Sequence, residues 1–119
     1  MVDYDCRVYE EYPIDRYRKA VYYYQNGIIR DSPGIDAVLK LMITKSKDLP
    51  YGTIIEIRTV KSGKVMRKLE KTQRAVAPYG SQWTEYDKVP TGSKTKNYII
   101  RNKTLYEVMG TSINATKVI

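Results

Sequence analysis

The first residues alternate in polarity. Val2, Tyr4, Cys6 and Val8 are separated by Asp3, Asp5 and Arg7, the period-two pattern of a strand with one buried face, so residues 2–10 are predicted as a strand that Pro13 ends. Residues 16–31 carry two patterns. Tyr17, Val21 and Tyr24 are spaced for a helix face, with Asp15 before it and Gly27 after it. Residues 20–24, however, are rich in strand formers, and Asn26 followed by Gly27 suits a type I′ hairpin turn, in which both positions need positive φ. The hairpin is the preferred reading.

Ser32 and Pro33 open the clearest helical pattern, with serine as N-cap, proline at the first helical position and Asp36 near the positive end of the dipole. Ile35, Val38, Leu39 and Met42 repeat at i, i+3, i+4 and i+7 and must face a core. Lys45 and Lys47 lie near the far end. The main amphipathic helix is therefore placed at about 33–46. Pro50 and Gly52 make a turn into residues 53–60, a strand by its β-branched content.

Beyond residue 60 the chain can be built in two ways. If Lys61, Ser62 and Gly63 form a three-residue loop with Gly63 left-handed, a hairpin pairs Thr59 with Val65, Ile57 with Arg67 and Ile55 with Leu69, and sets Glu56 opposite Lys68. If the chain instead enters a second helix over about 64–76, then Lys64, Arg67, Lys68, Lys71 and Arg74 gather on one side. The hairpin is preferred because the strand and the Ser-Gly turn come first. Residues 77–96 hold Pro78, Gly80, Pro90 and Gly92 and read as a mostly irregular connection with a short strand over 83–87. Residues 97–101 and 104–109 read as strands joined by a tight turn at Asn102 and Lys103. The spacing of Thr104 and Glu107 is also that of a helix capping box.

These elements make an α+β protein: mostly antiparallel β-sheet, with one main amphipathic helix packed on one face. No repeat, low-complexity run or linker divides residues 1–119, which are read as a single domain.

Composition adds three points. The chain has twelve Tyr, one Trp and no Phe, so much of its aromatic surface carries a polar tip suited to core edges and interfaces. Seven of the tyrosines precede Gln25. With no His and one Cys, zinc ligand sets and Ser-His-Asp or Cys-His arrangements are excluded. No phosphate-binding glycine loop is present, no cofactor is implied, and the balance falls against an enzyme. The single Cys6 and the charged, signal-free start point to a reducing, cytoplasmic setting, and no apolar run reaches membrane-spanning length.

Charge is placed unevenly. Residues 1–15 hold five acids and one base, whereas residues 58–74 hold seven bases and one acid, out of a chain total of +8. Such density suits a polyanion. The first functional reading is therefore a small nucleic-acid-binding protein, for DNA or RNA, that contacts phosphates through Arg58, Lys61, Lys64, Arg67, Lys68, Lys71 and Arg74. Tyr79, Trp83 and Tyr86 would be stacking partners for bases.

The alternative is a protein-interaction module, such as an inhibitor or assembly factor, that forms a homodimer or meets a partner through its Tyr-rich N-terminal third. The composition would suit a virus or mobile element, with host cytoplasm as the setting. A third reading is a metal-independent ribonuclease built on Arg, Lys and Tyr. Asp3, Asp5, Glu10, Glu11 and Asp15 could in principle hold a hard cation, but an acidic solvent face is the simpler reading.

Overall fold

The computed structural model describes residues 2–76, 80–85, 96–109 and 115–119. Strands β1 (Val2–Pro13) and β2 (Lys19–Ser32) are followed by helix α1 (Ile35–Lys45) and then by β3 (Ile54–Thr59), β4 (Val65–Val76), β5 (Gly80–Glu85), β6 (Lys96–Arg101), β7 (Thr104–Met109) and β8 (Thr116–Lys117). All eight strands form one antiparallel sheet in the order β2-β1-β3-β4-β5-β6-β7-β8. The α+β expectation of one helix on an antiparallel sheet describes this architecture, although the sheet dominates.

The first strand runs beyond the predicted residues 2–10 and ends at Pro13, as expected; the proline holds the last position of β1, opposite Lys19, where a missing ladder N–H matters little. One local expectation fails at this end: Asn26 and Gly27 do not turn. They lie inside one long strand, paired with Arg7 and Cys6, and Gly27 is not among the glycines at positive φ.

The chain reverses instead at residues 14–18, where Asp15 organises the loop. Its Oδ1 accepts from the backbone N–H groups of Tyr17 and Arg18 at 2.8 and 2.9 Å, and its Oδ2 accepts from Arg18 Nε at 2.7 Å. A carboxylate that satisfies two loop amides competes well with a sequence-local turn signal.

The helix starts two residues later than proline at its first position would require. Ser32 is the last residue of β2, and its hydroxyl donates to the Gly34 carbonyl at 2.9 Å. Gly34 is the N-cap, in an extended conformation and without a side-chain cap bond. Asp36 does lie in the first turn and Lys45 in the last, complementing the dipole.

Val38, Leu39, Met42 and Ile43 are buried, with Ile35 partly so. They pack on Tyr4, Cys6 and Val8 of β1, Ile55 and Ile57 of β3, and Leu69 of β4. Each such aliphatic side chain contributes roughly 1.5–3 kcal/mol when fully buried. Cys6 is fully buried; burial first, then the neighbouring Asp5 charge, push its thiol up to about 11.

Residues 64–76 do not form a second helix. Gly63 N–H donates to the Thr59 carbonyl at 2.8 Å and Thr59 N–H to the Lys64 carbonyl at 3.1 Å, which closes the β3–β4 hairpin. Strand β4 is then held on both edges, by β3 and β5.

The pairs Ile55–Leu69, Glu56–Lys68 and Ile57–Arg67 are those expected, and Gly63 is left-handed at φ 69. Beyond Ile57 the register slips, so that Arg58 rather than Thr59 faces Val65. Met66 is the extra residue of this bulge.

Farther along, the strand expected at 83–87 lies at Gly80–Glu85, which makes part of the supposed irregular connection regular. The other positions between 77 and 95 lie outside the described residues. Asn102 and Lys103, at φ 53 and 60, form the tight turn, and residues 104–109 are strand rather than capped helix.

The face away from α1 is also partly buried. Tyr9 and Glu56 meet there across β1 and β3. Farther along, Thr84 donates to Asn97 Oδ1 at 2.8 Å and lies 2.9 Å from the Thr72 hydroxyl. Because Thr84 has one hydroxyl hydrogen, Thr72 is the donor in that second bond.

Candidate interaction surfaces

The hairpin divides the basic segment between the two faces of the sheet. Arg58 and Lys68 point away from the helix with Glu56, while Arg67 and Lys71 share the helix side with Leu69. Three of the cations have structural partners.

Arg58 is ion-paired with the buried Glu56. Arg67 donates from one guanidinium nitrogen to both oxygens of Glu85, at 3.2 and 3.4 Å, and Tyr98 donates to the same carboxylate at 2.9 Å. Burial pushes the Tyr98 hydroxyl upward, and the Glu85 charge adds to the shift. The Lys71 ammonium donates to the carbonyls of Lys47 and Leu49 at 2.6 and 2.7 Å and sits 5.5 Å from the centre of the Tyr51 ring.

That leaves Lys61 and Lys64 exposed at the hairpin tip and Lys68 exposed on the sheet. Trp83 is 3% exposed and belongs to the core, so its ring is not available for stacking on a base. The side chain of Arg74, and Tyr79 and Tyr86 entirely, lie outside the described residues. Of the seven predicted residues whose side chains are described, Lys61, Lys64 and Lys68 are exposed, while Arg58, Arg67 and Lys71 have partners and Trp83 lies in the core.

The acids have local tasks. Asp5 accepts from Arg7 at 3.0 Å, Asp3 accepts from Asp31 N–H at 2.8 Å, and Asp15 holds its loop. No group of three metal-ligating side chains converges among the described residues.

The tyrosines of β2 form a more coherent surface. This strand is the outermost of the sheet, and no described strand pairs with its outer edge. A register shift opposite Val8 and Tyr9 leaves Tyr24 as an extra residue in β2. Around it, Tyr22 and Tyr24 meet edge to face with centroids 5.0 Å apart, and Tyr23 leans on Tyr9 at 5.6 Å.

Gln25 reaches toward Met42 of the helix and Ile29 packs on the core, which fixes the sidedness of the strand. Tyr22, Tyr24, Gln25 and Ile29 are on the helix side; Val21, Tyr23, Asn26 and Ile28 are on the other. Large apolar side chains stay open to solvent on both sides: Val21 is 44% exposed, Tyr22 57% and Ile28 49%.

Sequence reasoning assigned the tyrosine run to packing and interface. It missed the edge, because reading Asn26-Gly27 as a turn cut the strand in two. The strand formers on both sides of that pair were the signal for a continuous strand.

No described helix is long and apolar enough to cross a membrane. Comparison with protein-family models, with curated proteins and with solved structures returns no match for this chain.

Proposed function

We propose that the chain is a protein-interaction module that docks through the outer edge of β2, and that its first partner is a second copy of itself. The observation that carries this is a fourteen-residue outermost strand with Val21, Tyr22, Tyr23, Tyr24 and Ile28 all exposed. Such an edge offers a row of backbone N–H and C=O groups with apolar cover on both sides, and it pairs readily with another strand.

One antiparallel register about a two-fold axis between Tyr24 and Gln25 matches the sidedness throughout. It places Val21 opposite the partner's Ile28, Tyr23 opposite the partner's Asn26 and Tyr22 over the partner's Gly27. Aromatic cover of a strand glycine is a favourable cross-strand pairing. Its one adverse contact is Lys19 opposite the partner's Arg30. Each of these cations keeps an acid of its own chain, Glu11 at 3.6 Å and Asp3 at 3.7 Å.

Sedimentation equilibrium tests the proposal. The double substitution Val21→Lys with Ile28→Lys sets like charges opposite each other and is expected to yield monomer. Val21→Lys with Ile28→Glu sets opposite charges together and is expected to restore the dimer. A wild-type monomer at all concentrations, or two variants that associate alike, rejects the reading.

A second reading, nucleic-acid binding through phosphates, rests on Lys61, Lys64 and Lys68, which are exposed and form no ion pair with a described residue. With three contacts the slope of log K against log[salt] on duplex DNA is expected at about −3. Absence of binding to DNA and RNA at low salt in an anisotropy titration rejects it.

A further inference from the structure

A cleft of about 680 Å³ lies between α1 and the sheet, within the range of roughly 300–1,000 Å³ typical of small-molecule sites. Its floor is one row of cross-strand partners: Lys71 pairs with Trp83, and Trp83 with Tyr98. Ile43 and Thr44 of the helix form part of the wall, and Ile100 of β6 extends the apolar surface.

Among the described residues, the charged groups lining the cleft are all of one sign. Lys40 and Lys47 come from the helix side, Lys103 from the β6–β7 turn and Lys71 from the floor, and no described Asp or Glu lines it. None of the four forms an ion pair with a described residue.

The Lys71 ammonium is fixed in place by the carbonyls of Lys47 and Leu49. Two of its three N–H donors are used there, so one donor and the positive charge remain. Cations gathered beside an apolar floor favour a ligand with an apolar body and an anionic head, because an uncharged ligand brings them no counter-charge. From the cleft's shape and charge we infer that it binds a small amphipathic anion, the apolar part lying against Ile43, Ile100 and the small parts of Trp83 and Tyr98 that reach the cleft, and the head held by Lys47, Lys71 and Lys103.

Trp83 is the only tryptophan of the chain, so its fluorescence reports directly on the cleft. The probes are dodecanoate, dodecanol as its uncharged counterpart, and a chain-brominated dodecanoate that quenches indole on contact. The full chain is expected to bind dodecanoate at a single saturable site by calorimetry, to bind dodecanol about tenfold or more weakly, and to lose Trp83 emission on adding the brominated acid. Lys47→Glu with Lys103→Glu, both at exposed positions, is expected to weaken dodecanoate by about tenfold or more while leaving dodecanol unchanged. Equal affinity for acid and alcohol, no saturable binding of the acid, or binding without quenching overturns the inference. The comparison of the two wild-type ligands decides the matter even if the variant does not fold.

Discussion

The hydroxyl of Tyr9 donates to Oε2 of Glu56 across 3.0 Å, joining β1 to β3 on the face away from the helix. Arg58 Nε donates to the other carboxylate oxygen. Burial by itself raises the pKa of Glu56, but the hydrogen bonds from Arg58 and Tyr9 outweigh it, and the folded value lies below the ordinary 4.5.

A lowered folded pKa means that the unfolded chain takes up the proton first. The stabilisation is complete above about pH 4.5 and is lost as the pH falls through the folded value. Thermal melts across an acid series are expected to show Tm dropping below about pH 4.5 in the wild type and a flatter profile in Glu56→Gln. Tyr9→Phe is expected to cost about 1–3 kcal/mol at neutral pH, since it leaves a buried carboxylate short of a donor. An unchanged acid profile in Glu56→Gln rejects this account.

Two lysines of the same basic segment are expected to behave differently. Lys71→Met removes two charged hydrogen bonds to carbonyls, and urea denaturation should register a loss of about 1.5–3 kcal/mol. Lys64→Ala, at an exposed position, should stay within about 0.5 kcal/mol of wild type. Equal losses would contradict the different tasks assigned to them.

Gly63 holds φ 69 at the hairpin tip, with nothing near a Cβ built at that position. Gly63→Ala therefore meets no steric neighbour and carries only the left-handed backbone penalty, about 1–2 kcal/mol. Denaturant midpoints check this. A neutral substitution would mean that the turn relaxes to another geometry.

How far the sequence could be read depended on whether the deciding partner was nearby. The stripe of Val38, Leu39 and Met42 announced its helix, and Gly63 with the residues on either side set the register of Ile55 with Leu69. The fate of the cations could not be read in the same way. Arg67 is paired with Glu85, eighteen residues away, and the Lys71 ammonium is held by carbonyls more than twenty residues upstream, so charge density along the chain overstated the charge gathered on one open surface. Asn26-Gly27 was misleading for a related reason: the long pairing with β1 and the amides captured by Asp15 outweighed a local preference. The strand order, with β1 between β2 and β3, left no mark in any single segment.

That order has a kinetic consequence. From β3 onward each strand pairs with the next in the chain, and β1 pairs with β2, but β1 meets β3 only after the chain has passed through α1, with Tyr4 opposite Thr59. Local hairpins can close early, whereas this one junction carries the long loop-closure cost. Leu39→Ala, which removes about 2–5 kcal/mol of core packing under the helix, is expected to slow refolding in stopped-flow traces. Leu105→Ala in β7 should mainly speed unfolding; the reverse pattern would place the nucleus in the C-terminal hairpins. The slow step of assembly is then the docking of one helix across the first strand, after which the rest of the sheet closes between neighbours.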